Sequence, residues 1–214
     1  MRLMLAILAL AVAATAADQK PKGAPLVRLP GQSAEIATFA IPKPAQPCQN
    51  WAVAAGLEAM LAVSNVRLPQ KYWVLKGDIG EVCREEPANF ESLARLVNGE
   101  YVLDDARKVR LELRYSEGAP AIPDDVIARL RLGRPSLFFW KKHAFVLLGV
   151  TYDEYIYPNG QRMFEIRELR LRDLMLPASA DPTTFVKGRD DPAEIGGIVQ
   201  VIVQPIEPMP WLRK

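Results

Sequence analysis

Hydrophobic positions divide the chain into a first half with helical periodicity and a second half rich in strand patterns. Residues 51–63 are small and apolar almost all round, with Glu58 as the single charge, which predicts a helix buried on most sides. Residues 87–97 place apolar side chains at helical spacing and end at Asn98-Gly99, which predicts an amphipathic helix. The remaining helices are predicted over 69–76 and 124–132.

Strand patterns dominate from residue 109 onward. Val109 to Tyr115 alternate apolar and polar side chains, as in a strand with one face on the core. Pro158-Asn159-Gly160 is typical of a hairpin turn between two long strands. The predicted strands are 34–41, 109–115, 135–140, 144–157, 163–173 and 198–203, and 178–197 is predicted as a long loop. Helices followed by antiparallel strands predict an α+β fold.

The N-terminal segment has the pattern of a targeting signal. Met1-Arg2 supplies a positive charge, an apolar run follows over 3–12, and small residues precede Asp18. Because the run is shorter than the roughly 20 residues of a membrane span, we expect a cleaved signal peptide and a secreted or periplasmic protein, with an uncleaved anchor as the alternative. The predicted division is 1–17 signal peptide, 18–45 proline-rich lead-in and 46–214 folded domain.

Composition narrows the classes of function. The chain has 214 residues, 50% of them hydrophobic, and 27 Lys and Arg against 25 Asp and Glu, for a net charge of +2. These values fit one globular domain, exclude a disordered protein and argue against a nucleic-acid binder. The single histidine, His143, and the two cysteines, Cys48 and Cys83, lack metal-ligand spacing. With no glycine-rich phosphate loop either, we expect neither a metal nor a cofactor.

Two features could carry chemistry. Gln46 and Cys48 precede the buried helix, and a helix N-terminus stabilises a thiolate nucleophile. His143 opens a long apolar strand, where it could act as a base.

Three blocks of sequence, in order, carry a resemblance to a known family. They are the Gln46-to-helix segment, the Cys83-Arg84-Glu85-Glu86-Pro87 segment before the next helix, and His143-Ala144 followed by Gly149 and a hairpin ending in an acidic residue. With these blocks the chain resembles the papain-like cysteine peptidases, including bacterial relatives. The resemblance implies a papain-like fold, with a buried central helix packed against an antiparallel sheet and a cleft between them.

The same resemblance places alanine where the nucleophile is expected. In the family, an oxyanion-hole glutamine lies six positions before the catalytic cysteine, and six positions after Gln46 stands Ala52. The string from Gln49 to Ala55 is similar to the bacterial pattern Q-N-W-C-W-A-A with Ala52 in the cysteine position. Alanine cannot attack a carbonyl carbon.

The third member of the catalytic set is Asp153, Asn159 or Asp173. If the hairpin turns at Asn159-Gly160, Asp173 lies opposite Val146, ~10 Å along the strand from His143. Asp173 is therefore the best candidate to orient the imidazole, although Asp173-Leu174 departs from the Asp-Pro that the family often has here.

Cys48 has two interpretations that exclude each other, since an oxidised sulfur is not a nucleophile. It could be the nucleophile itself. The resemblance instead implies a structural disulfide between Cys48 and Cys83, which suits a secreted chain and would contribute about 4 kcal/mol. We favour the disulfide.

Three hypotheses follow. The first is a degenerate papain-like protein that keeps Gln46, His143 and Asp173, has Ala52 in place of the nucleophile, and binds a peptide or protein ligand in its cleft. The second is an active cysteine peptidase or acyl hydrolase using Cys48, His143 and Asp173. The third is a scaffold or surface-interaction protein that has only the fold in common with these enzymes.

Overall fold

The computed structural model describes residues 23–36, 51–77, 89–118, 123–177 and 179–206, and it has an α+β fold. In chain order its elements are β1 (Val27–Glu35), α1 (Ala52–Ala62), α2 (Gln70–Gly77), α3 (Phe90–Val97), β2 (Gly99–Val102), β3 (Lys108–Glu117), α4 (Pro123–Arg131), β4 (Ser136–Trp140), β5 (His143–Ile156), β6 (Arg162–Arg172), β7 (Thr183–Val186) and β8 (Ile195–Pro205). A short 3-10 helix over Pro192–Glu194 precedes β8.

All pairings between these strands are antiparallel, in the order β2-β3-β8-β4-β5-β6-β7. Strand β5 is long enough to have two neighbours on one side. Its first residues pair with β4, and the stretch from Gly149 to Ile156 pairs with β1. Strand β6 pairs with β5 from Val146 to Ile156 on the other side.

The sheet has a hydrophobic core on each face. Along β4, Leu137 and Phe139 belong to the core that contains α1, whereas Phe138 and Trp140 belong to the core that contains α4. This division follows from the alternation of side chains along a strand, and it explains why every residue of β4 is buried.

Helix α1 is buried on most sides, as its composition predicts. Its backbone lies so close to β4 that a Cβ atom built on Gly56 would lie 2.2 Å from Cδ2 of Leu137. The small residues of the helix therefore allow the close approach that places its first turn beside the sheet.

The turn between β4 and β5 positions His143. Its two residues, Lys141 and Lys142, have φ angles of 51° and 60°. Two consecutive positive φ angles are typical of tight two-residue hairpins that match the twist of the strands. Because Trp140 pairs directly with His143, the imidazole stands at the first position of β5.

Most predicted elements are confirmed. The four helices lie where the periodicity places them, and the strands over 109–115, 135–140, 144–157, 163–173 and 198–203 correspond to β3, β4, β5, β6 and β8. Within the described residues, no helix combines the length and hydropathy needed to cross a membrane.

Three parts of the chain differ from the prediction. The N-terminal strand is β1 at Val27–Glu35 instead of 34–41, of which 37–41 lie outside the described residues. The predicted loop over 178–197 contains β7, the 3-10 helix and the first residues of β8. Strand β2 was not predicted.

Candidate functional site

Pairing between β5 and β6 brings His143 and Asp173 together. His143 begins β5, Asp173 directly follows β6, and Nε2 of His143 donates to Oδ1 of Asp173 at 3.2 Å. The two side chains are only 11% and 19% exposed. With Nε2 bonded to the carboxylate, Nδ1 is the nitrogen of a neutral ring that can accept a proton.

The predicted register is wrong by one residue. Val146 pairs with Arg172 instead of Asp173, and irregularities interrupt the pairing between Leu147 and Gly149 and between Thr151 and Tyr152. Asp173 follows Arg172 in the chain and therefore lies closer to His143, the first residue of β5. This position brings its carboxylate within hydrogen-bond distance of Nε2 of His143.

Asp173 is held in its ionised form. Burial opposes ionisation, but hydrogen bonds from His143 and from the Met175 amide, together with the positive charge of Arg172, keep the pKa of Asp173 below its usual range. The Met175 amide lies 2.8 Å from Oδ1. A carboxylate fixed by two donors can hold the imidazole in one orientation and stabilise its protonated form.

The other two candidates for this role lie elsewhere. Asp153 accepts hydrogen bonds from Arg28, Arg167 and the Gly31 amide, and it ties β1 to β5 and β6. Asn159 lies in the β5–β6 turn and accepts from the Gln161 amide. Asp173 is therefore the one of the three that reaches His143.

Ala52 and His143 line the same cleft. The cleft has a volume of about 1110 Å³, and Val53, the residue after Ala52, also lines it. Ala52 is the first residue of α1, so its methyl group lies at the helix N-terminus, where the helix dipole favours negative charge. This is where a thiolate would be stabilised, but the methyl group has no nucleophilic atom.

An aromatic cluster forms another part of the cleft wall. The ring of Phe90 in α3 stacks on that of Tyr115 in β3, with 5.5 Å between the ring centres. It packs edge-on against the ring of Phe139 in β4, with 4.9 Å between the ring centres. These residues were not predicted as part of the site, since a hydrophobic pattern marks single helices and strands but does not show where three of them meet.

Charged residues of both signs surround the cleft. Its lining includes Glu117, Lys142 and Glu194. Nζ of Lys141 lies 3.7 Å from Oε2 of Glu194 and 4.5 Å from the centre of a Trp140 ring. The mixture of signs favours neither a strongly acidic nor a strongly basic ligand.

Three predicted site residues, Gln46, Cys48 and Cys83, lie outside the described residues. The oxyanion role of Gln46, the Cys48–Cys83 disulfide and Cys48 as nucleophile therefore remain predictions. Among the residues that are described, no group of three or more His, Cys, Asp or Glu side chains is arranged to hold a metal ion.

No protein-family model matches the chain, and a search of curated proteins found no match.

Proposed function

We propose that the chain is a papain-like protein with a degenerate catalytic site, which binds an extended peptide or a segment of a partner protein without cleaving it. One observation carries the proposal: the first residue of the buried helix and the His143–Asp173 pair line one cleft. We further propose that the protein works outside the cytoplasm, in keeping with the targeting pattern of residues 1–17.

The relative positions of the groups support a papain-like site. In the family that the sequence resembles, a helix presents the nucleophile and a strand presents the histidine, whose far nitrogen is bonded to an orienting residue. Here α1 presents Ala52, β5 presents His143, and Asp173 bonds Nε2. The remaining proton acceptor, Nδ1, has no nucleophile at position 52 to activate.

The lining of the cleft supports binding of a peptide. Phe90, Tyr115 and Phe139 offer an aromatic surface for an apolar side chain, and Tyr115 is 41% exposed. Aromatic side chains give large contact areas at low entropic cost, so they commonly carry the binding energy of peptide clefts.

The proposal is tested by replacing Ala52 with cysteine. We expect Ala52→Cys to create a thiol of low pKa, because the helix N-terminus and a protonated His143 would both stabilise its thiolate. The thiol is labelled at pH 6 with iodoacetamide and with a peptide vinyl sulfone, and the labelled position is identified by tandem mass spectrometry. The expected iodoacetamide rate is about tenfold or more above that of an ordinary surface thiol.

Val53→Cys is the matched control. It places a thiol in the same cleft but turned by about 100° around the helix, away from the position assigned to the nucleophile. His143→Ala in the Ala52→Cys background should abolish the rate advantage. If the thiols at 52 and 53 react equally, or if His143→Ala changes nothing, position 52 is not the nucleophile position.

The peptide reagent separates binding from reactivity. In the Ala52→Cys protein, we expect the ratio of the vinyl sulfone rate to the iodoacetamide rate to be raised. Adding Tyr115→Ala should reduce this ratio, whereas adding Tyr72→Ala, at another exposed tyrosine, should not. A reactive thiol without this raised ratio would support the degenerate site but not peptide binding. Fast labelling of Cys48 in the unaltered protein would instead favour the active peptidase.

A further inference from the structure

A second cavity lies at the opposite end of helix α1 and strand β8 from the His143–Asp173 cleft. Ala52 and Gly196 line the first cleft, whereas Met60 and Val203 line the second cavity, whose volume is about 550 Å³. This volume is within the roughly 300–1,000 Å³ of known small-molecule sites.

One part of the cavity wall is apolar. Met60, Val63 and Val66 come from the end of α1 and the turn that follows, and Val203 comes from β8. Leu132 adds an apolar side chain that is 68% exposed at the rim. An apolar chain of several carbons could bury its surface here.

Two guanidinium groups face this wall. Arg129 is half-buried, its Nη2 donates to the Val201 carbonyl at 3.3 Å, and its buried Nε has no acceptor among the described residues. The side chain of Arg134 is exposed and likewise has no acceptor in the described part of the chain. By contrast, the third guanidinium of the lining, Arg107, is paired with Asp105.

The electrostatic surroundings of Arg129 are unfavourable to its charge. Burial lowers the pKa of Arg129, the carboxylate of Asp125 opposes this effect, and the positive charges of Arg134 and Arg114 lower it further. Asp125 itself accepts a hydrogen bond from Gln200. An anion between Arg129 and Arg134 would supply the negative charge that this arrangement lacks.

We propose that this cavity binds a small amphipathic anion, a carboxylate carrying an apolar chain. The carboxylate would accept hydrogen bonds from Arg129 and Arg134, and the chain would lie along Met60, Val63 and Val66. The site does not involve His143 or Asp173, so it stands independently of the function proposed for the cleft.

The test uses octanoate as the probe and isothermal titration calorimetry as the measurement. We expect saturable one-to-one binding of octanoate, and no saturable binding of octyltrimethylammonium, which has the same chain and the opposite charge. Arg134→Gln should weaken octanoate binding about tenfold or more, since it removes a charged hydrogen-bond donor. Arg134 is exposed, so this variant is expected to fold.

Arg170→Gln is the matched control, because Arg170 is an exposed arginine on β6 paired with Glu35 and does not line the cavity. Its octanoate affinity should equal that of the unaltered protein. Amide chemical shifts locate the ligand: Ala106, Ile202 and Val203 should shift, and the single imidazole, that of His143, should not. Absence of saturable binding, equal affinity of Arg134→Gln, or shifts confined to the His143 cleft would each overturn the proposal.

Discussion

The hydrogen bond between His143 and Asp173 is the contact on which the candidate site depends. Asp173 keeps a lowered pKa even though it is largely buried, so its interactions stabilise the folded state only while the carboxylate is ionised. We expect Asp173→Asn to lose about 1–2 kcal/mol of stability at pH 7, measured by urea denaturation.

The pH dependence of this loss follows from the sign of the shift. A carboxyl whose pKa is lower in the folded state contributes its full stabilisation above its unfolded pKa, about 4, and loses it as the pH falls through the folded pKa. The difference between the unaltered protein and Asp173→Asn should therefore shrink as the pH falls below about 4 and vanish in strong acid. Asp181→Asn, an exposed carboxyl in a nearby loop, should cost less than half a kcal/mol, roughly the effect of surface substitutions. Equal stability of the Asp173 variant at pH 7 would contradict this account.

At the level of residues, sequence analysis predicted the His143–Asp173 pair but not its surroundings. The pair could be predicted because one turn fixes a hairpin register to within a residue. The error of one residue is already present beside the turn, where Ile156 pairs with Arg162, and the two irregularities farther along the strands offset each other. The Phe90, Tyr115 and Phe139 cluster could not be predicted, since its members come from three elements whose contacts are set by tertiary packing.

At the level of elements, the close contact between helix α1 and strand β4 should reverse the usual effect of replacing a helical glycine with alanine. In a helix interior, replacing glycine with alanine usually stabilises by about 0.5–1 kcal/mol. At Gly56 the new methyl group would overlap the side chain of Leu137, which is fully buried. We expect Gly56→Ala to destabilise the protein by about 1–3 kcal/mol in urea denaturation.

A double-mutant cycle checks the cause. In a Leu137→Ala background the overlapping atoms are gone, so Gly56→Ala should become neutral or stabilising relative to that background. If Gly56→Ala costs the same in both backgrounds, overlap with Leu137 is not the reason for the glycine.

The elements that sequence analysis misplaced are those without an amphipathic pattern. Strand β1 contains Pro30 and Gly31, which normally argue against a strand, and its pairing with β5 is irregular between Leu29 and Gln32. Most of its residues are exposed, so no alternation marks a buried face. Strand β7 has only four residues, too few for a period to be recognised. By contrast, α1, α3 and β5 each have enough buried positions for their pattern to determine their type.

At the level of the whole molecule, β1 belongs to the sheet although it comes from the proline-rich segment. It pairs with the part of β5 that extends past β4. Ala34 is buried in the core that contains α4, and Arg28 donates a hydrogen bond to Asp153. We expect deletion of residues 1–36 to lower the melting temperature by about 5–10 °C and to promote association, because it exposes a strand edge.

Deletion of residues 1–22 is the control, since it leaves β1 in place. Thermal unfolding and size-exclusion chromatography should then match the full chain. The importance of β1 would be contradicted if the two deletions behaved alike.

The position of β1 in the sequence also has a consequence for synthesis. Arg28 and Asp153, which join β1 to β5, are 125 positions apart. At translation rates of about 5–20 residues per second, β1 leaves the ribosome about 6 to 25 s before the strand that pairs with it. Strands β4, β5 and β6 need no such wait, since each pairs with the next in sequence. The β4–β5 and β5–β6 pairs can therefore form as soon as their own strands are available, while β1 has no partner until β5 has been made.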